Sequence, residues 1–455
     1  MAIPDKKGLP PAGDFLVPAR KSPKNRLGEA LTVKPFDSDT MFFVFCPVSS
    51  RPPQDPSRQR VDTWFCVVVS FLRKAIDCLY ILFFIWEILL TKGGGYMESF
   101  SCKTKIISGH GSVWELGQLD ITRLLLVADP FFRKTDLPEK LKKASKAQVM
   151  ECFFEVKPDP TVELAAQGTA VVQRFKPDTV VALGGGSAMD CAKAMVYFSG
   201  LPIRLVAIPS TSGSGSEVTD FAVLTHGGTK HPLVDPALLP EIAILDGNLL
   251  DSLPKTLIAD AGFDIVAHAT ESYVAQNAGV MSRALASDAF SAAYQLLPAS
   301  FGGDTKVRGR IHLASTMAGA AFSQSGLGLC HAIAHALGGR FHLPHGRLNA
   351  IVLPAVVEAN AAANDRYAAL ARAAGLEGAA DAMAVRNLKN ALHRLRKELN
   401  LPQTLAQAGV APREVAQVMP ALTEAVLADP CCATNPVPTN APMVRKILLQ
   451  VTGIG

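Results

Sequence analysis

The chain has 455 residues, of which 49% are hydrophobic and 19% charged, and its formal net charge is +5 at pH 7. This length accommodates two domains with cores of their own, and the composition is that of a globular protein. The basic residues are spread along the chain, which excludes a basic tail of the kind that binds nucleic acid. The nine cysteines form neither a Cys-x-x-Cys pair nor a disulfide framework, as expected in a reducing cytoplasm.

Residues 1–96 differ in character from the rest of the chain. A Pro-rich polar stretch, 51–56, leads into an apolar stretch, 64–90, which charged residues interrupt before any run is long enough to span a bilayer. Three interpretations remain open: a membrane anchor, a targeting arm with an amphipathic helix, or a leader that lies upstream of the true start. We favour the leader, because the codons for Lys92-Gly-Gly-Gly can form a ribosome-binding site just before Met97. The functional chain is then expected to start at Met97.

Between residues 103 and 253, short apolar runs alternate with helical patterns. We predict strands at Lys103–Ile107, Leu124–Ala128, Thr179–Leu183 and Arg204–Ile208, with a further apolar run at Met150–Val156. Helical patterns lie between them, at Leu137–Lys146, Thr161–Phe175 and Cys191–Val196. This alternation is typical of parallel βαβ units and predicts an α/β fold for this part of the chain.

After about residue 253 the pattern changes to long Ala- and Leu-rich stretches that Pro and Gly separate. Examples are Ser282–Leu297, Ile311–Phe322 and Asn364–Ala374. Strand-like alternation is scarce here, so we predict an all-helical domain with its boundary near Leu253-Pro254.

Two glycine-containing loops follow predicted strands. In the first, Gly184-Gly-Gly-Ser187, glycine lets backbone N–H groups approach a pyrophosphate at the start of a helix, although a simple turn is the alternative. The second, 208–219, is rich in hydroxyl side chains that can wrap phosphates and ribose, with a flexible linker as the alternative. Asp129, at the end of its strand, is a candidate acceptor for adenosine ribose and would repel the extra phosphate of NADP. A structural N-cap is the competing interpretation of Asp129.

Potential metal ligands lie in two separate stretches. Asp264 and His268 are four residues apart at helical spacing, and so are His331 and His335. Buried Asp and His without partners are costly, which favours a ligand role over an ordinary core role. A carboxylate with imidazoles suits Fe(II), Zn or similar ions. The spacing leaves open which histidines of the second stretch bind: His331, His335, His342 or His345.

At these residues the chain, from about Ile106 onward, resembles the iron-containing (group III) alcohol dehydrogenase family. The resemblance rests on long motifs in the same order, among them Pro-Ser-Thr-Ser-Gly-Ser-Gly-Ser-Glu217, Ala-His268-Ala-Thr-Glu271, Cys-His331-Ala-Ile-Ala-His335 and Phe-His-Leu-Pro-His345. Within the family, the motifs are most similar to those of the 1-propanol dehydrogenases of propanediol utilisation. Residues 1–96 lie outside the resemblance as a non-family leader.

The resemblance implies an α/β N-terminal dinucleotide-binding domain, 97–253, and an all-helical C-terminal metal-binding domain, 254–455, in a dehydroquinate synthase-like fold. It implies Fe(II), with Zn as the alternative, in the cleft between them, held by Asp264, His268, His331 and His345. His335 is implied as the catalytic residue beside the nicotinamide that relays protons. The implied NAD-binding residues are Asp129, Gly185, Gly186, Ser187, Ser210, Thr211, Thr219 and Lys230.

The implied activity is the NAD(H)-linked interconversion of short-chain aldehydes and primary alcohols, with propanal and 1-propanol expected. Ethanol, lactaldehyde and glycerol are alternative substrates within the family, and a membrane- or shell-associated NAD-binding protein without activity is the alternative of another class. The resemblance further implies a cytoplasmic homo-oligomer, associated with a bacterial microcompartment and binding neither a membrane nor nucleic acid.

The chain departs from the family pattern at four positions. Arg347 stands where a small or aliphatic residue is usual, and a cation so close to the metal is expected to narrow the substrate pocket or weaken the ion. The milder departures are Asp159 for a common Asn, Ser210 for a common Thr and Ser272 for a common Ala.

Overall fold

The structure is a computed structural model that describes residues 98–227, 229–361 and 365–453. The described residues belong to one compact unit. The interpretations of residues 1–96, including the start at Met97, fall outside the described residues. Within the described ranges, no helix combines the length and the apolar character that crossing a membrane requires.

The first half of the described chain contains a six-stranded parallel sheet. Its strands are β1 (Lys105–Ser108), β2 (Arg123–Ala128), β3 (Val149–Phe153), β4 (Thr179–Gly184), β5 (Arg204–Pro209) and β8 (Ile242–Leu245). Their order across the sheet is β1-β8-β5-β4-β2-β3. The connecting helices are α1 (Leu137–Ser145), α2 (Val162–Phe175) and α3 (Gly186–Ser199).

Both faces of this sheet are covered. Leu125 of β2 packs in one cluster with Val172 of α2 and Met195 of α3, whereas Leu126 packs in another cluster with Leu141 of α1. Alternate residues of a strand point to opposite faces, so burial on both sides requires the continuous apolar runs seen in the sequence.

Strands β6 (Phe221–His226) and β7 (Thr229–Val234) form a separate antiparallel hairpin. Neither this hairpin nor β8 is predicted by the sequence patterns. β8 lies between β1 and β5, and Ile242 is in register with both Lys105 and Val206.

The second half is helical. Its helices are α4 (Lys255–Val274), α5 (Val280–Gly302), α6 (Arg308–Ser325), α7 (Leu329–Phe341), α8 (His345–Ala361), α9 (Arg366–Ala373), α10 (Asp381–Glu398), α11 (Pro412–Ala428) and α12 (Ala441–Thr452). Helix α4 packs against α5, α6 and α8, and a single large hydrophobic cluster joins these helices. The predicted fold, an α/β part followed by an all-helical part, is confirmed.

Candidate metal and cofactor site

Four of the sequence-predicted ligands converge on one point in the helical part. Asp264 and His268 lie on α4, His331 lies on α7, and His345 is the first residue of α8. The Nε2 atoms of His268, His331 and His345 lie 4.0, 3.9 and 3.6 Å from Oδ1 of Asp264. These separations exceed hydrogen-bond lengths and are close to those between ligand atoms around one small ion.

Burial and neighbouring charges shift the pKa values of three side chains of this cluster. Desolvation is the largest cause that holds the pKa of His331 and that of His345 well below the value of free imidazole. Burial alone would raise the pKa of Asp264, but the neighbouring imidazoles, His268 foremost, lower it on balance. Neutral imidazoles and an ionised carboxylate are the forms that bind a divalent metal.

The orientation of two imidazole rings is fixed by hydrogen bonds at Nδ1, the nitrogen directed away from Asp264. Nδ1 of His268 lies 3.1 Å from the carbonyl oxygen of Gly213, and Nδ1 of His331 lies 2.6 Å from Oε2 of Glu271. With Nδ1 donating its proton, the lone pair of each ring is on Nε2, the atom that faces Asp264.

Glu271, which contacts Nδ1 of His331, is a candidate site residue that the sequence analysis missed. Its carboxylate, 2% exposed, also accepts hydrogen bonds from the backbone N–H groups of Gly328, Cys330 and His331, at 3.1, 2.7 and 3.2 Å. Burial raises the pKa of Glu271 to about 7, and these N–H donors oppose a larger rise. The same carboxylate therefore fixes the start of α7 and the ring that α7 carries.

Asn349, on α8, is a second residue that the sequence analysis missed. Its Nδ2 lies 2.7 Å from Oδ1 of Asp264 and 3.2 Å from Nε2 of both His331 and His345. The side chain is fully buried, so its amide lies between predicted ligand residues of three helices.

The guanidinium of Arg347 is paired with Asp260, one turn before Asp264 on α4. Nε and Nη2 of Arg347 donate to the two carboxylate oxygens at 3.1 and 2.9 Å. Such a bidentate pair fixes the orientation of the cation and offsets its charge. Burial is the largest influence on the pKa of Asp260 and raises it, although Arg347 lowers it.

His335 lies beside the cluster of four predicted ligands. Its ring stacks on that of His345 with centroids 5.2 Å apart, and its Nδ1 lies 2.8 Å from Oδ2 of Asp429. Asp429 also accepts from the backbone N–H of Cys431 at 2.8 Å. The side chain of His335 is 38% exposed and that of His345 33%, whereas those of His268 and His331 are buried, so His335 has direct access to solvent.

The predicted cofactor loops meet at one edge of the sheet. β2, β4 and β5 are neighbours, so their carboxyl ends place Asp129, Gly185 and Thr211 together. A Cβ on Gly185 would lie 3.2 Å from Oγ1 of Thr211, and one on Gly186 would lie 3.1 Å from the side chain of Ser214. The two loops therefore touch, and the glycines leave the start of α3 open to a phosphate.

Asp129 caps a short 3-10 helix, since its Oδ1 accepts from the N–H of Phe131 at 2.9 Å. The N-cap interpretation is therefore correct, and it leaves the second carboxylate oxygen for a ribose. Ser187 lies in the first turn of α3 and is partly exposed, whereas Ser210, after β5, is buried.

Of the other two predicted cofactor residues, Thr219 lies just before β6 and Lys230 lies on β7. Thr219 is fully buried, and its carbonyl and hydroxyl oxygens accept from Nζ of Lys193 at 2.8 and 3.0 Å. Burial lowers the pKa of Lys193 to about 8. Lys230 forms an ion pair at 2.6 Å with Asp159, whose φ of 53° lies in the left-handed region that Asn and Asp tolerate best.

Comparison with known proteins agrees with this geometry. The family model for iron-containing alcohol dehydrogenase matches residues 103–247, and the model for the C-terminal part of the Fe-containing alcohol dehydrogenase family matches residues 258–452. The chain is 41% identical to the 1-propanol dehydrogenase PduQ of Citrobacter freundii over 78% of this chain and 100% of that protein. It is 34% identical to the NADPH-dependent butanol dehydrogenase of Clostridium saccharobutylicum, over 77% and 97% of the two chains.

Among solved structures, the iron-containing alcohol dehydrogenase of Thermococcus thioreducens superposes with a TM-score of 0.73 at 32% identity. The superposition covers 78% of this chain and 99% of that one. The resemblance seen in the sequence motifs is thus confirmed, and the family implies a bound metal of the iron type and a nicotinamide dinucleotide. The chain belongs to the iron-containing alcohol dehydrogenase family and is an alcohol dehydrogenase.

Proposed function

We propose that this enzyme reduces propanal to 1-propanol with NADH, and runs in reverse when the alcohol is in excess. The convergence of Asp264, His268, His331 and His345 on one point is the observation that carries the proposal. The choice of substrate is supported by the 41% identity to a 1-propanol dehydrogenase over that protein's full length.

We propose these four side chains as the ligands of one Fe(II) ion, with Zn as the alternative. Three neutral imidazoles and one carboxylate are a donor set that both ions accept. Their ligand atoms all lie within 4.8 Å of one another, so the side chains fit a single ion with small adjustments. When bound, the metal supplies Lewis acidity to an alcohol or aldehyde oxygen, and the nicotinamide supplies or accepts the hydride.

The chain's own residues supply orientation and proton transfer. Glu271 and the carbonyl of Gly213 hold the rings of His331 and His268 with Nε2 directed inward. We propose His335 as the catalytic proton relay, with Asp429 accepting from Nδ1 and so leaving Nε2 to take up or release a proton. An imidazole oriented by a carboxylate in this way keeps one tautomer.

We propose that NAD(H) lies along the carboxyl edge of the sheet. Asp129 would accept from the ribose hydroxyls and disfavour the extra phosphate of NADP. The residues proposed to line the cofactor are Asp129, Gly185, Gly186, Ser187, Ser210, Thr211, Thr219 and Lys230. In this proposal the NAD-binding domain spans 97–253 and the metal-binding domain 254–455.

The test is NADH-dependent reduction of propanal by the full chain after reconstitution with Fe(II) and, separately, with Zn. Lactaldehyde and acetaldehyde serve as competing aldehydes, and glycerol as the competing alcohol in the reverse direction. The proposal predicts the highest kcat/KM for propanal and a strong preference for NADH over NADPH. A clearly higher kcat/KM for lactaldehyde or acetaldehyde, or a preference for glycerol over 1-propanol, would reassign the substrate.

We also propose a cytoplasmic homo-oligomer associated with a bacterial microcompartment, supported by the likeness to the propanediol-type enzyme. Light scattering gives the oligomeric state of the purified chain. Co-sedimentation of the untagged protein with microcompartment shells, compared with free shells and free protein, tests the association. A monomer, or a protein found only in the unbound fraction, would contradict this part.

A further inference from the structure

A second group of metal-binding side chains lies next to the four proposed ligands. His335 on α7, and Asp429 and Cys431 at the turn after α11, bring one ligand atom each to within 4.8 Å of one another. None of these residues belongs to the first cluster, and all three are partly exposed. An ion from solvent can therefore reach them.

The geometry of this turn favours Cys431 over its neighbour. Cys432 directs its Sγ to the carbonyl oxygen of Val426, 3.0 Å away. The backbone N–H of Cys431 donates instead to Asp429, whose other oxygen accepts from Nδ1 of His335 at 2.8 Å. The Sγ of Cys431 lies within 4.8 Å of a ligand atom of His335 and of Asp429, whereas the Sγ of Cys432 faces the carbonyl oxygen of Val426.

We infer that His335, Asp429 and Cys431 form a second metal site, which takes a thiophilic divalent cation such as Zn²⁺ or Cd²⁺. A mixed set of imidazole, carboxylate and thiolate ligands is typical of zinc, whereas Mg²⁺ prefers oxygen ligands alone. Two ligand atoms bound at about 2.1 Å in a tetrahedron lie roughly 3.4 Å apart, so the His335–Asp429 pair has to open by only about half an ångström.

Binding is balanced by proton release. The thiol of Cys431 loses its proton to water, and the sulfur then binds the cation. The proton on Nδ1 of His335 moves to Nε2, and Nδ1 binds the cation in its place. An oxygen of Asp429 gives up its hydrogen bond and binds the cation instead. Water completes the coordination.

The consequence for activity rests on the proposed function. With the cation on Nδ1 and a proton on Nε2, His335 has no free lone pair and cannot relay a proton. Excess zinc should therefore inhibit enzyme whose first metal site is already filled, without removing the first metal.

The experiment uses the full chain loaded with Fe(II) and freed of excess metal. Cadmium is added stepwise while three quantities are followed: thiolate-to-metal charge-transfer absorption, cadmium and iron bound per chain after equilibrium dialysis, and the rate of propanal reduction. Zinc inhibition is measured in parallel. The variants are Cys431→Ser and, as the matched control on the adjacent residue, Cys432→Ser, with folding checked by thermal unfolding.

Wild type and Cys432→Ser should bind about one cadmium per chain with thiolate absorption and with iron retained. Cys431→Ser should lose the absorption, and its zinc inhibition, relative to its own starting rate, should weaken about tenfold or more. Thiolate absorption that persists in Cys431→Ser, or that disappears in Cys432→Ser, would overturn the site. If the absorption depends on Cys431 but zinc leaves the rate unchanged, the second site stands and the proposed proton relay through His335 fails.

Discussion

Replacing Glu271 with glutamine keeps the shape of the side chain and removes half of its capacity to accept hydrogen bonds. The carboxylate accepts three backbone N–H groups and Nδ1 of His331. Glutamine has only one acceptor oxygen, and its NH₂ group, itself a donor, would face some of these N–H donors. Hydrogen bonds to a charged acceptor contribute about 1.5–3 kcal/mol each, but removing a buried charge offsets part of their loss. We expect the free energy of unfolding to fall by about 1–3 kcal/mol.

The larger effect is expected on metal binding. Without the carboxylate, the ring of His331 is no longer held with Nε2 directed at Asp264, and losing such a partner typically weakens a metal site about 10–100-fold. Competition with a chelator measures the dissociation constant of Fe(II) or Zn, and denaturant unfolding of the metal-free chain measures stability separately.

The matched control is Glu358→Gln. Glu358 pairs with Lys389 at 2.7 Å at the surface, with 52% of its side chain exposed. This control should change stability by no more than about 0.5 kcal/mol and leave metal affinity unchanged. A Glu271→Gln variant that binds metal as tightly as wild type would refute the account of how His331 is oriented.

Three further changes give separate expectations. Asp129→Ala should raise the ratio of kcat/KM for NADPH to that for NADH about tenfold or more, and an unchanged ratio would remove Asp129 from cofactor selection. Gly346→Ala should lower stability by about 3 kcal/mol or more and deplete bound metal, because its Cβ would lie 1.9 Å from the carbonyl oxygen of Asp260. In Gly339→Ala, on α7, the new Cβ would have no atom within 4 Å. Because alanine favours a helix over glycine, this variant should raise the free energy of unfolding by about 0.5–1 kcal/mol in the same assay.

His312 is expected to make the free energy of unfolding depend on pH. Burial lowers the pKa of His312 from 6.5 to about 4. At this position the unfolded chain therefore takes up a proton at a higher pH than the folded chain. The contribution of neutral His312 to the free energy of unfolding is complete above about pH 6.5 and falls by about 3 kcal/mol towards pH 4. In His312→Gln this fall should be shallower by that amount, and an unchanged pH profile would contradict the assignment.

The sequence predicted those parts of the fold that leave a local signature. β2, β4 and β5 are buried on both faces, so they appear as continuous apolar runs, and each prediction overlaps the observed strand. β8 was missed because four residues carry too little pattern, and only its pairing with β1 and β5 makes it a strand. The hairpin β6–β7 was missed because its sequence, with Pro232 and several polar residues, does not alternate regularly.

The site, too, has a part that local sequence spacing predicts and a part that it does not. Asp264 and His268 share a helix face at a spacing that the sequence displays, and the structure brings them together with His331 and His345. The partners of those rings could not be found by spacing: Glu271 is 60 residues from His331, and Asp429 is 94 residues from His335. Such contacts depend on how helices pack, and neither residue stands out by type.

Arg347 illustrates the same limit. The sequence places a cation two residues after His345, and from this we expected an effect on the metal or the substrate pocket. The structure pairs its guanidinium with Asp260, 87 residues away in the chain, in a bidentate contact. A charge whose partner is distant in the sequence thus has that partner on the neighbouring helix, and only the packing of α4 against α8 brings the two together.

The metal content of ligand variants tests the central claim most directly. Iron per chain is to be measured in wild type, His268→Ala, His331→Ala and His335→Gln after identical anaerobic reconstitution and removal of excess metal. The account predicts about one iron per chain in wild type and in His335→Gln, and almost none in His268→Ala or His331→Ala, whose activity should vanish as well. Full iron content in either ligand variant, or loss of iron in His335→Gln, would contradict the proposed ligand set.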